Sequence, residues 1–354
     1  MPIMELLEHA SSTGSEVEMD KIFQSAATDV IGLVIFGKSF GIGKSLIEEV
    51  VNMARTSKEE DIDNLNVFKS MDLIKTETQR QMVLPEWILK VVGPSRKVKE
   101  AKAYLDCLLD DCIEERQKTQ EQSGVVDLMT VLLDSYNEGT ITREEVKGQL
   151  LTFLFAGQDT TAHTLSWMLY EISQNSTLQE QLFEEIKEVL PDRDTAYANS
   201  TMLSPKQLAL LDRTFSETLR KFPAAATGTS RRVGDNPILV GKNLELPAGA
   251  SLTIPPYALH RHPQHWPNPE EFDPNRFLPE QIKSRDPMAF QAFSSGPRNC
   301  VGSYLARVQA LFTMSALLRR FRVTCVERDL PPKQYHIITM KPKYGIRFTY
   351  EKRY

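Results

Sequence analysis

The residues best equipped for chemistry lie between 293 and 302, Phe-Ser-Ser-Gly-Pro-Arg-Asn-Cys-Val-Gly. Cys300 precedes a helical stretch, where the positive helix end and backbone N–H groups favour thiolate over thiol. Gly296 and Gly302 permit tight turns and close approach to the backbone. Such a loop suits a thiolate held stiffly against a metal. Arg298 adds a cation beside it, and Phe293 can pack near the sulfur. A lone cysteine at a helix start reads better as a buried free thiol; the whole pattern F-x-x-G-x-R-x-C-x-G favours the ligand.

A second group, Ala156-Gly157-Gln158-Asp159-Thr160-Thr161, falls inside a long apolar helical pattern. Glycine there costs roughly 1 kcal/mol relative to alanine, and buried polar groups cost more unless satisfied. A run that breaks both rules marks either a functional site, often with a local bulge, or a polar kink facing another helix. Glu217 and Arg220 share a helix face at i, i+3, a spacing equally found in weak surface pairs. Arg231 and Arg232 lie in strand-like sequence and point to opposite faces, so only one can reach a given ligand. His260, His262 and His265 carry ligand-type groups at H-x-H-x-x-H spacing.

These residues need elements to position them. Helical periodicity covers 3–9 and 19–36, the latter through Ile22, Phe23, Ala26, Val30 and Ile31, closed by Gly37 and the Gly41/Gly43 pair. Further helices fit 46–61, 96–122, 178–190, 205–222 and 301–319. Thr142 and Glu145 form a capping box opening a helix from 142 to about 174. Its middle, LLTFLFA, is apolar all round and is expected to be buried. Residues 82–93, MVLPEWILKVVG, read either as a packed loop or as a surface dipping into a membrane interface. Residues 228–258 alternate short apolar runs with Gly and Pro, which predicts strands and turns. Residues 262–297 are proline-rich and mostly irregular, and strands return near 322–327 and 345–350.

The chain has 354 residues and can bury a large core. Its net charge of -5 gives no basic excess for nucleic acid. Four cysteines without a C-x-x-C pair indicate a reducing compartment, with the thiols free or acting as ligands. No signal peptide or long apolar run is present in this sequence.

From about 142 to 325 the chain resembles the cytochrome P-450 family. The loop 293–302 resembles its proximal loop, and 156–161 its distal oxygen-binding helix. Glu217 and Arg220 match its Glu-x-x-Arg, and Pro274-Asn275-Arg276-Phe277 its Pro-x-Arg-Phe. Fainter matches are Thr28-Asp29-Val30-Ile31-Gly32 and Phe36-Gly37. Ser230-Arg231-Arg232-Val233 and Ala258-Leu259-His260-Arg261 look most like the eukaryotic fatty-acid omega-hydroxylase group.

The resemblance implies a mainly α fold with a small β portion: one cytochrome P-450 domain over 1–354, lacking its N-terminal part. It implies haem b, with Cys300 as axial iron ligand and Arg298 on a propionate. The haem-contacting arginine falls on the Arg231–Arg232 pair, with Arg232 taken as the candidate. Ala156 and Gly157 would leave room for ligand and substrate. Thr160 would hold water and dioxygen, and Asp159 would relay protons. Glu217, Arg220 and Arg276 would form a structural triad, and the histidines would bind no separate metal. The implied activity is a haem-thiolate monooxygenase inserting one oxygen atom of O2 into a lipophilic substrate such as a fatty acid or sterol. NADPH-cytochrome P-450 reductase or a similar donor would supply electrons to a monomer. A full-length parent would sit on the cytosolic face of the endoplasmic reticulum membrane.

Two departures qualify this. Ala156 replaces the glutamate that esterifies haem in some omega-hydroxylases. No W-x-x-x-R occurs, and the chain is expected to start well inside the family fold. The alternative is therefore a truncated fragment without catalytic activity. A haem-thiolate isomerase or dehydratase is disfavoured by the Asp159-Thr160 pair.

Overall fold

Helix signals written in the sequence account for most of the architecture. The computed structural model describes residues 2–43, 66–123, 127–191, 204–327, 331–336 and 338–353. The helix expected at 46–61 lies outside them. The described residues form two compact units.

The first unit comprises Met1–Thr13 and Asp20–Ala162. It holds α1 (Pro2–Thr13), α2 (Met19–Phe36), α3 (Val67–Val83), α4 (Glu86–Val92), α5 (Arg96–Ser123), α6 (Leu128–Asn137) and the N-terminal part of α7 (Arg143–Gln174). Three of these, α3, α4 and α6, were not foreseen. In α3 the Asn66 side chain accepts from Lys69 N–H, and in α6 that of Asp127 accepts from Thr130 N–H, each satisfying an orphan donor at a helix start. Segment 82–93 is not a packed loop. Pro85 caps α4 and Gly93, at φ 62°, ends it. No residue of α4 is buried, and Met82, Val83, Trp87, Val91 and Val92 are exposed. The core gathers Leu6 and Leu7 of α1, Phe23, Ala27 and Ile31 of α2, Met71 of α3 and Leu105 and Leu109 of α5.

The second unit comprises Gly14–Met19 and His163–Tyr354. The rest of α7, α8 (Ser176–Val189), α9 (Ala209–Lys221) and α12 (Ser303–Arg320) supply its helical core, with short helices α10 (Pro256–Leu259) and α11 (Pro279–Ser284). Trp167 stacks flat on Phe222, 4.2 Å between ring centroids. A three-stranded antiparallel sheet runs in the order β1 (Val17–Glu18), β9 (Arg347–Lys352), β6 (Phe321–Cys325). Three two-stranded ribbons pair β2 (Ser230–Arg232) with β5 (Ser251–Thr253), β3 (Ile238–Val240) with β4 (Leu244–Leu246), and β7 (Gln334–His336) with β8 (Met340–Pro342).

Helix α7 begins on the expected capping box: Glu145 accepts from Thr142 N–H at 2.7 Å, and Thr142 Oγ1 accepts from Glu145 N–H at 3.2 Å. It runs unbroken to Gln174, so the expected local bulge at 156–161 is not formed. Nor is LLTFLFA buried all round. Leu150 and Leu154 are buried, while Thr152 and Ala156 are exposed. The fully buried stretch of α7 begins at Thr161.

Candidate functional site

The cysteine loop lies in the second unit. Gly296 takes φ 77° and Ser294 φ 60°, a left-handed conformation natural for glycine and uncommon for other residues. These two turns bring Cys300 N–H to the Phe293 carbonyl at 2.9 Å, which closes the loop on itself. Phe293 faces Phe215 of α9, 6.4 Å between centroids. A Cβ at Gly302 would stand 3.9 Å from Cys300 Sγ, an ordinary contact distance, so Gly302 lies beside the sulfur. The thiol is exposed, and α12 starts at the next residue but two.

Two exposed guanidiniums belong to the same unit, those of Arg298 and Arg232. Among the described residues neither meets a carboxylate at ion-pairing distance. Arg232 lies over Gly249, where a Cβ would come within 3.5 Å of Nη2. Arg231, its neighbour, donates to the Ser230 carbonyl.

The buried scaffold of this unit centres on Glu217. Arg220 Nε donates to Glu217 Oε2 at 2.8 Å and Nη2 to Oε1 at 2.9 Å. Both side chains are wholly inaccessible. Asp273 N–H also donates to Oε1, at 2.9 Å, and Arg276 Nε stands 3.5 Å from it. Arg220 additionally donates to the carbonyls of His260 and Glu271. The structure thus brings Glu217, Arg220 and Arg276 together. Of the three histidines, His260 is buried with both ring nitrogens engaged: Nδ1 donates to the Arg220 carbonyl, and Nε2 accepts from Gln291 N–H at 2.9 Å. Burial pulls its pKa down to about 4. Its nitrogens are therefore occupied by the fold. Among the described residues no group of three His, Cys, Asp or Glu converges as a metal site.

The run 156–161 lies within the first unit. Thr160 Oγ1 donates to the Ala156 carbonyl at 2.7 Å. Asp159 is buried and accepts from Lys75 Nζ of α3 at 2.8 Å. Lys75 was not foreseen: 84 residues separate the partners, and a lysine in an amphipathic helix looks like any solvated one. A Cβ at Gly157 would meet Ile31 Cδ1 and Cγ1 at 2.8 Å, so the space beside this glycine is filled by α2. Gly157 lets α2 approach this helix closely, and Ala156 is exposed.

A family model described as cytochrome P-450 matches residues 3–348. The chain belongs to the cytochrome P-450 family. Cytochrome P-450 6A1 of Musca domestica is 31% identical over 344 residues, covering 93% of this chain and 64% of that protein. Cytochrome P-450 4F4 of Rattus norvegicus is 35% identical over 231 residues, covering 65% of this chain and 43% of that protein. The chain thus spans less than two thirds of the length of these curated relatives. Among solved structures, the cytochrome P-450DA heme domain superposes with a TM-score of 0.79 at 23% identity, over 100% of this chain and 71% of that one. The fold is that of a cytochrome P-450, mainly α with a small β part. No helix among the described residues is long and apolar enough to cross a membrane.

The family implies a haem cofactor, and this P-450's second unit offers matching donors. Cys300 presents a free thiol on a closed loop ahead of a helix. Arg298 and Arg232 are cations without carboxylate partners among the described residues, as a group bearing two propionates requires.

Proposed function

We propose that this chain carries the haem-binding part of a haem-thiolate monooxygenase, with Cys300 as the residue that would hold the iron of haem b. The observation that carries the reading is the exposed Cys300 thiol on a loop closed by its own backbone bond to Phe293, in a chain of the cytochrome P-450 family. Thiolate-ligated haem supplies O–O bond cleavage, because the sulfur pushes electron density toward iron.

The chain's own residues do the rest. The loop fixes the sulfur before any ligand arrives, so little is lost in ordering it. Gly296 and Gly302 keep side chains away from that face, and Phe293 with Phe215 backs the loop. Arg298 and Arg232 pair with the propionates. Asp159 relays protons, and the Thr160 hydroxyl, which donates to the Ala156 carbonyl, is the candidate to hold water or dioxygen. Ala156 leaves its surface of α7 open. The substrate is a lipophilic molecule receiving one oxygen atom of O2, and the electrons come from a reductase such as NADPH-cytochrome P-450 reductase. The protein acts as a monomer, with both units in one domain.

The test is the reduced carbon-monoxide difference spectrum of the chain expressed with haem precursor, beside Cys300→Ser. A strongly red-shifted Soret band that disappears in the variant is expected. No bound haem in the parent chain, or an unchanged band in the variant, refutes the assignment.

A further inference from the structure

Among the described residues two methionines are exposed, Met82 at 66% and Met288 at 59%. Their sulfurs have different surroundings. No hydrogen bond reaches the Met82 sulfur among the described residues. Met288 Sδ accepts from Gln291 Nε2 at 3.5 Å and from Ser295 Oγ at 3.8 Å. Thioether sulfur is a weak acceptor, so the two donors gain little from it. The backbone on both sides is fixed. Pro287 opens the short 3-10 turn Pro287–Ala289, and the Asp286 side chain accepts from Met288 N–H at 2.8 Å. Ala289 is buried with Trp266 and Phe277, and its carbonyl accepts from Trp266 Nε1 at 3.2 Å. On the donor side, Gln291 N–H is held by His260 Nε2 at 2.9 Å. Ser295 lies between two left-handed residues, Ser294 at φ 60° and Gly296 at φ 77°.

This arrangement suits an oxidised sulfur better than a reduced one. A thioether is oxidised when a sulfur lone pair attacks one oxygen of hydrogen peroxide. The S–O bond forms and the O–O bond breaks. The leaving hydroxide takes the proton of the transferred oxygen and departs as water. Sulfur loses two electrons and peroxide gains them. Negative charge grows on the peroxide oxygens along the way, where donors already in place are most effective. The product carries a polar oxygen on sulfur, a stronger acceptor than the thioether, beside the Gln291 amide and the Ser295 hydroxyl. Both donors are held by their backbone, so little is lost in ordering them.

We infer that Met288 is a site of reversible oxidation by hydrogen peroxide, its sulfoxide received by Gln291 and Ser295. Ser295 belongs to the loop that Cys300 N–H closes on the Phe293 carbonyl, so the sulfoxide fastens the 287–289 turn to that loop. An enzymatic dithiol reductant reverses the step: two thiols become a disulfide, the sulfoxide oxygen leaves as water, and the thioether returns. The inference does not depend on bound haem.

Peptide mass spectrometry of the purified full chain during exposure to hydrogen peroxide tests it, with Met82 as the control in the same molecule. Met288 sulfoxide should form faster than Met82 sulfoxide although Met82 is the more exposed. Each donor is expected to contribute about twofold to tenfold to the Met288 rate. Gln291→Ala/Ser295→Ala should therefore bring that rate down to the Met82 value. Met314 and Met340, buried in the same unit, stay unoxidised while the fold holds. Should they oxidise in the double variant, Ser295→Ala alone carries the comparison, since that side chain is exposed, and should lower the Met288 rate by one such factor. Methionine sulfoxide reductases with dithiothreitol should restore the thioether. Hydrogen exchange of residues 293–302 should slow on oxidation of the parent chain and stay unchanged in the Ser295→Ala variant. Equal rates at Met288 and Met82, a preference for Met288 that survives removal of the donors, a sulfoxide that the reductases leave in place, or loop exchange indifferent to oxidation each overturn the inference.

Discussion

Acidification should strike this fold first at His260. The ring is buried, stacked on Phe290 at 5.1 Å, and its two nitrogens hold opposite roles. Nδ1–H donates to the Arg220 carbonyl, and Nε2 accepts from Gln291 N–H. Protonation would set two N–H groups against each other at Gln291 and place a cation beside Arg220. In the folded chain the pKa is lowered from 6.5 to about 4, so the unfolded chain takes up the proton first. Between those values the unfolded state binds more protons, and stability rises with pH. The contribution is complete above about pH 6.5, is lost progressively on the way down to about pH 4, and changes no further below that. At about 1.4 kcal/mol per pH unit, the loss attributable to His260 is about 3 kcal/mol. His260→Gln keeps a donor and an acceptor but does not titrate. Urea unfolding of both proteins from pH 7 to pH 4 should show the parent losing about 3 kcal/mol more than the variant, because the carboxylates common to both cancel in the difference. Parallel stability profiles, or an NMR titration of the folded His260 ring near its ordinary value, would refute the reasoning.

Two further perturbations probe α7. Gly157→Ala drives a methyl into Ile31 and should destabilise by about 1–3 kcal/mol despite alanine's higher helix propensity; in urea unfolding Ile31→Ala should partly suppress this, and strict additivity would count against the contact. Lys75→Met leaves the buried Asp159 carboxylate without its cation and should cost about 3–5 kcal/mol. The double variant Lys75→Met/Asp159→Asn should recover much of that loss in a double-mutant cycle, and a coupling near zero would contradict it.

Much of the scaffold was legible because its signals are local. The Thr142–Glu145 box, the 19–36 periodicity and the apolar stripe of α12 each act within a few residues of themselves. Helices α3 and α6 were missed although Asn66 and Asp127 carry the same kind of local cap. Segment 82–93 misled because its proline sits at the helix start, where the missing N–H costs nothing, so it opens α4 instead of breaking it.

What the sequence determined by itself is the inventory of reactive groups and the backbone that presents them. The pattern of Phe293, Gly296, Arg298, Cys300 and Gly302 carries its own geometry, since glycine conformations and the bond from Cys300 N–H to the Phe293 carbonyl lie within ten residues. Only the tertiary structure decided which distant groups complete them. It joined Lys75 to Asp159, filled the space beside Gly157 with Ile31, and set Glu217 among Arg220, Arg276 and the Asp273 backbone. Spacing along a chain specifies neighbours only within one element. Between elements, the partner of a charge or the occupant of a glycine's empty side is chosen by packing, where burial makes an unpaired group costly and a single methyl decisive.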